Sequence, residues 1–66
     1  MTRQLAFREI ENCLYLDLGD DDLARAEGEM LKAICAGHIR IIGGHVLYYN
    51  GAADEDIYRD MHSKVC

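Results

Sequence analysis

Residues 38–49 read HIRIIGGHVLYY, two short runs of β-branched and aromatic residues on either side of Gly43 and Gly44. A two-residue connection between strands needs positive φ at both positions, and Gly-Gly supplies it without steric cost. The stretch predicts a hairpin of strands 38–42 and 45–49. In that register Ile39, Ile41, Val46 and Tyr48 share one face, and His38, Arg40, His45, Leu47 and Tyr49 share the other. An apolar sheet face must be covered, so the elements on either side have to supply a second layer.

Upstream, Asp20, Asp21 and Asp22 precede Leu23, Ala26, Met30, Leu31 and Ile34, which recur at helical spacing. Asp20 reads as an N-cap, with the next carboxylates in the first turn where the helix dipole favours negative charge. Gly37 reads as the C′ residue that ends a helix over 20–36. Gly28 inside it costs about 1 kcal/mol against Ala and marks a close packing point. Downstream, Asn50-Gly51 closes the second strand, and Asp54, Glu55 and Asp56 open a last helix carrying Ile57, Met61 and Val65 four apart.

Further upstream, Leu14, Leu16 and Leu18 alternate with Cys13, Tyr15 and Asp17, the period of a half-buried strand. Residues 3–11 admit two readings. As a strand, a turn at Glu11-Asn12 would set Leu5 opposite Leu18 and Phe7 opposite Leu16. As a helix from near Thr2, Phe7, Ile10 and Leu14 would share a face. Glu-Asn is not a favoured hairpin dipeptide, which leaves the two close, with the strand ahead. The expected order is β(β)αββα. The fold class is α+β, an antiparallel sheet of three to four strands with two helices on one face.

The chain has 66 residues, enough for a single domain, 1–66, and half of them are hydrophobic. A chain this short buries only about 60% of its unfolded surface, so any staple would matter. Cys13, Cys35 and Cys66 are an odd number and cannot close completely within one chain. They are expected to be reduced, in a cytoplasmic protein. No leader-like or membrane-spanning segment is read from the sequence.

Four constellations could carry chemistry. Cys35 with His38 and His62 with Cys66 form two close pairs of soft ligands. They are the set for the alternative of a small zinc-stabilised adaptor, since tetrahedral zinc takes such donors. The more common origin of such residues is a core cysteine, ordinary histidines and a frayed terminus, so no metal or other cofactor is expected. A cysteine nucleophile would need a cationic setting, which an acidic chain opposes. No hydrolase, zinc-protease, phosphate-loop or dinucleotide motif occurs, so no enzyme is expected. Tyr48 and Tyr49 are adjacent on a strand and point to opposite faces, so one of them is a candidate apolar anchor at an interface.

Charge is the fourth feature. The net charge is −5, which disfavours direct nucleic-acid binding. Residues 17–29 hold Asp17, Asp20, Asp21, Asp22, Glu27 and Glu29 against Arg25; residues 54–60 hold Asp54, Glu55, Asp56 and Asp60 against Arg59; the remainder is net positive. Capping and solubility explain part of each cluster, at about 0.3–1 kcal/mol per first-turn carboxylate. If both helix starts lie at one edge of the sheet, they would form one negative rim. Such a rim would be steered to a basic groove and would compete there with nucleic-acid phosphates. The expected contact set is Asp20, Asp21, Asp22, Glu27, Asp54, Glu55, Asp56 and Asp60, with Tyr48 or Tyr49.

In size, charge and these two clusters, the chain resembles the small acidic inhibitors of phages and mobile elements, including anti-CRISPR proteins and other DNA mimics. No motif of such a family is matched residue by residue. The resemblance implies a monomeric, stoichiometric inhibitor in the cytoplasm of a host cell. Its partner would be a protein with a basic nucleic-acid-binding groove, such as a CRISPR effector subunit, kept from docking DNA. The remaining alternative is an oligomerising regulatory subunit that pairs through an uncovered sheet face.

Overall fold

The computed structural model describes residues 4–65. Two hairpins and two helices follow in the expected order: β1 (Ala6–Ile10), β2 (Cys13–Gly19), α1 (Asp22–Cys35), β3 (His38–Ile42), β4 (His45–Tyr49) and α2 (Glu55–Val65). The strands form one four-stranded antiparallel sheet in the order β1-β2-β4-β3.

Residues 6–10 are a strand, paired to β2 with Phe7 opposite Leu16. The turn runs through Glu11 at φ 51° and Asn12 at φ 67°, the left-handed pair that a tight hairpin needs. The ladder begins at Ala6 opposite Asp17, so Leu5 and Leu18 are not a ladder pair, although both pack into the core. Thr2, where the helical alternative would begin, lies outside the described residues. The second hairpin has the expected register, with Ile39 opposite Tyr48 and Ile41 opposite Val46. Gly43 and Gly44 both take positive φ.

Leu16, Leu18, Val46 and Tyr48 from the sheet pack with Ala24 and Leu31 of α1 and Tyr58 and Met61 of α2. Both helices therefore cover one face. Leu16, Leu31, Tyr48 and Tyr58 are fully buried, and a large apolar side chain buried in this way stabilises by about 1.5–3 kcal/mol. Gly28 is the close packing point the sequence implied: a Cβ there would sit 3.3 Å from both Ile39 Cδ1 and Leu18 Cδ1.

Both ends of α1 differ by a residue from the sequence expectation. Asp21, not Asp20, is the N-cap, its Oδ1 accepting from the Ala24 N–H at 2.7 Å. Ala36, not Gly37, takes the left-handed conformation at the C-terminus, with its N–H on the Lys32 carbonyl at 2.9 Å. Gly37 is glycine for another reason. A Cβ there would overlap the Tyr48 ring and hydroxyl.

The face without helices is covered by its own side chains. Tyr15 is 6% exposed and Leu47 fully buried. Arg40 on β3 donates to the Tyr15 hydroxyl on β2 at 3.0 Å, reaching across β4 beside Leu47. Asp17 on β2 gathers Arg8 of β1 at 3.5 Å and His45 of β4 at 3.2 Å. The Tyr49 ring lies 5.0 Å from that of Tyr15. Among the described residues no helix is long and apolar enough to cross a membrane.

Candidate functional site

The strand register decides where the acidic clusters lie. β2 and β4 are antiparallel neighbours, with Leu16 opposite Tyr48 and Gly19 opposite Val46. The end of β2 thus lies at the Gly43-Gly44 end of the sheet, and the end of β4 at the Glu11-Asn12 end. α1 follows β2 and α2 follows β4, so the two helices start at opposite poles. α1 alone, with 14 residues, spans about 21 Å at 1.5 Å per residue. The single rim expected from the sequence does not form.

Local structure also uses most of the second cluster. Asp54 Oδ1 accepts from the Asp56 N–H at 2.8 Å, Glu55 pairs with Arg59 at 3.3 Å, and Asp60 pairs with Lys64 at 3.3 Å. All three are the ordinary capping and i,i+4 contacts of an exposed helix. At the other pole Asp21 is spent on the cap, while Asp20 and Asp22 are exposed beside it. Glu27 does not project. Its carboxylate lies 3.5 Å from His62 Nε2 between the helices, with both side chains largely buried.

Neither tyrosine is a projecting anchor. Tyr48 is fully buried, its ring edge-on to Tyr58 and its hydroxyl donating to the Leu31 carbonyl at 3.3 Å. Burial pushes its pKa above the ordinary tyrosine range. It does the same to Tyr58, whose hydroxyl donates to the Leu14 carbonyl at 2.6 Å. Tyr49 is half-buried on the helix-free face, and its pKa is raised first by a hydrogen bond with the Cys13 thiol.

The zinc set is not assembled either. His38 opens β3 opposite Tyr49, on the helix-free face, whereas His62 is buried in the helical layer against Glu27. The sheet separates the two histidines. Cys66 lies outside the described residues, and among those described no group of three or more His, Cys, Asp or Glu is placed to hold a metal ion.

Two concave features were not read from the sequence. A cleft of about 660 Å³ lies at the Glu11-Asn12 pole, where Glu9, Asn12 and Cys13 face Tyr49, Asp54 and Glu55. It sets the Cys13 thiol beside Glu9, Asp54 and Glu55. A smaller cleft of about 240 Å³ lies in the seam between α1 and α2, lined by Leu23, Ala26, Glu27, Met30 and Val65.

The seam corrects the helical stripe expected for α1. The buried positions are Ala24, Gly28 and Leu31. Leu23, Met30 and Ile34 are 64%, 51% and 52% exposed, and Ile57 of α2 is 49% exposed. The signal in the sequence was a stripe too wide for one contact: 24, 28, 31 and 35 fill the sheet-facing side, leaving 23, 30 and 34 as a second row. No protein-family model matches the chain, and neither the curated proteins nor the solved structures gave a match.

Proposed function

We propose that the chain is a non-catalytic interaction protein that binds a cationic surface of another protein through the pole where α1 begins. The observation that carries this reading is the run Asp20, Asp21, Asp22 at an exposed helix start, where capping uses only Asp21. The charge left over is concentrated at one end of a small acidic molecule, and such a field steers a partner of opposite sign. The partner class that suits it is a protein with a basic nucleic-acid-binding groove, a CRISPR effector subunit being one instance. An inhibitor seated there would exclude DNA by competing with its phosphates. Asp54, Glu55, Asp56 and Asp60 belong to the opposite pole and take no part in the same contact. The free thiols of Cys13 and Cys35 suit work in a reducing cytoplasm.

The test uses the partner captured from host cytosol, in a DNA-binding competition. The parent chain should displace DNA, and raising the salt severalfold should weaken its binding steeply. Asp20→Lys with Asp22→Lys should abolish displacement while the Asp21 cap keeps the fold intact. Displacement that survives this double reversal, or a complex indifferent to salt, would overturn the reading.

A further inference from the structure

We propose that the outward seam between α1 and α2 is a docking groove for a basic amphipathic helix of a partner protein. The inference rests on the cationic-partner reading above and specifies its surface. Leu23, Met30 and Ile34 form one row along α1, and Leu23 and Met30 share the seam cleft with Val65 of α2. Ile57 lies two turns before Val65 on α2, with the buried Met61 between them, and α2 runs antiparallel to α1 with His62 against Glu27. The result is an apolar strip running from Leu23 to Ile34, about 16 Å along the helix axis. Leu23, Met30, Ile34 and Ile57 on it are each about half exposed or more, and Val65 is partly buried at its edge. A helix of about three turns matches this length and would place an apolar face in the groove at i, i+3, i+4 and i+7.

Charge selects the occupant. Asp20 and Asp22 stand exposed at the Leu23 end of the strip, where α1 begins. A second copy of the chain, itself carrying −5, would bring the same carboxylates to the same groove, and like charges across an interface disfavour it. A helix with Lys or Arg flanking its apolar ridge meets the groove with complementary charge and shape.

The probe is a synthetic Leu/Lys helix about three turns long, patterned with leucine on one face, compared with a scrambled peptide of identical composition. Binding is read by fluorescence anisotropy at about 0.15 M salt. The patterned peptide should bind about tenfold more tightly or better than the scrambled one. Met30→Asp distinguishes the sources of affinity by sign. It adds negative charge, so attraction by charge alone would strengthen binding, whereas loss of the apolar seat should weaken it about tenfold. Met30→Ser and Ile34→Ser should weaken it in the same direction. Circular dichroism should show all three variants folded, because the side chains they replace are half exposed. Equal binding of both peptides, or tighter binding by Met30→Asp, would overturn the groove while leaving the cationic-partner reading standing. If neither peptide binds, both fall. Self-association of the parent chain that Met30→Asp abolishes would make the occupant a second copy and overturn the proposal.

Discussion

Gly37→Ala tests the close packing of Tyr48 against the entry to β3. The added Cβ would overlap the hydroxyl and ring of Tyr48, so the ring has to move. It has little room to do so: Tyr48 is fully buried, stands edge-on to Tyr58 with centroids 6.2 Å apart, and donates to the Leu31 carbonyl. Overpacking a filled core costs about 1–3 kcal/mol, and losing the buried hydroxyl's bond adds about 0.5–1.5 kcal/mol. The sum, about 2–4 kcal/mol, is a large share of the roughly 3–10 kcal/mol total expected for a chain this size. Since each kcal/mol moves Tm by about 4–8 °C in a domain this small, thermal denaturation followed by circular dichroism should show a fall of about 8–32 °C. Tyr48→Phe removes one of the clashing atoms. The double variant should therefore be less destabilised than the two single changes added together. A Gly37→Ala protein that melts within about 3 °C of the parent, less than the shift for one kcal/mol, would refute the close approach of Tyr48 to the β3 entry.

Asp21→Ala should cost about 1 kcal/mol through the lost cap, whereas Asp20→Ala should leave urea denaturation almost unchanged. Replacing Glu11-Asn12 with Asn-Gly should raise Tm, because the turn now holds a glutamate at positive φ, at a cost of about 1–2 kcal/mol. An unchanged or lowered Tm would contradict the left-handed turn. Tyr48 and Tyr58 have folded-state pKa values raised by burial. The folded protein therefore holds those protons more tightly than the unfolded chain, and the stability they contribute is complete below the ordinary tyrosine pKa and lost as pH rises through the folded values. Ultraviolet titration should show three tyrosines ionising late, Tyr49 among them, with alkaline unfolding as Tyr48 and Tyr58 lose their protons. Addition of a strong chelator should leave the melting curve unchanged; a fall would restore a metal site, with His62 its one buried histidine.

The pattern of apolar residues was enough to read the hairpins and helices, because turn chemistry and periodicity are local. Gly43-Gly44 announces its turn by composition. Glu11-Asn12 does not, and only the pairing of Phe7 with Leu16 across the sheet makes residues 6–10 a strand. The identities of Tyr48 and Gly37 are fixed by each other, eleven residues apart, and no single-residue rule reveals such a contact. Tyr48 was open to an interface role from its strand position alone. Its burial follows from two helices packing over that face. Leu23, Met30 and Ile34 looked like core because spacing reports a face but not whether a neighbour covers it.

The separation of the acidic clusters is a consequence of topology rather than of side-chain detail. When two neighbouring strands are antiparallel and each is followed by a helix, those helices must begin at opposite ends of the sheet, whatever residues they carry. In this fold the helix-start carboxylates of α1 and α2 cannot form one rim, and no rotation of their side chains recovers about 21 Å. The same antiparallel arrangement has a second effect. It lays α2 back along α1, so that the end of α2, with Val65, comes to Leu23 at the start of α1. One acidic pole is thereby joined to an apolar strip, while the other is joined to a polar cleft at Cys13 and Tyr49. A partner that needs both an apolar seat and negative charge can find them together only at the α1 pole. Charge reversal should therefore be asymmetric: Asp22→Lys should impair partner binding, and Asp54→Lys should leave it nearly intact.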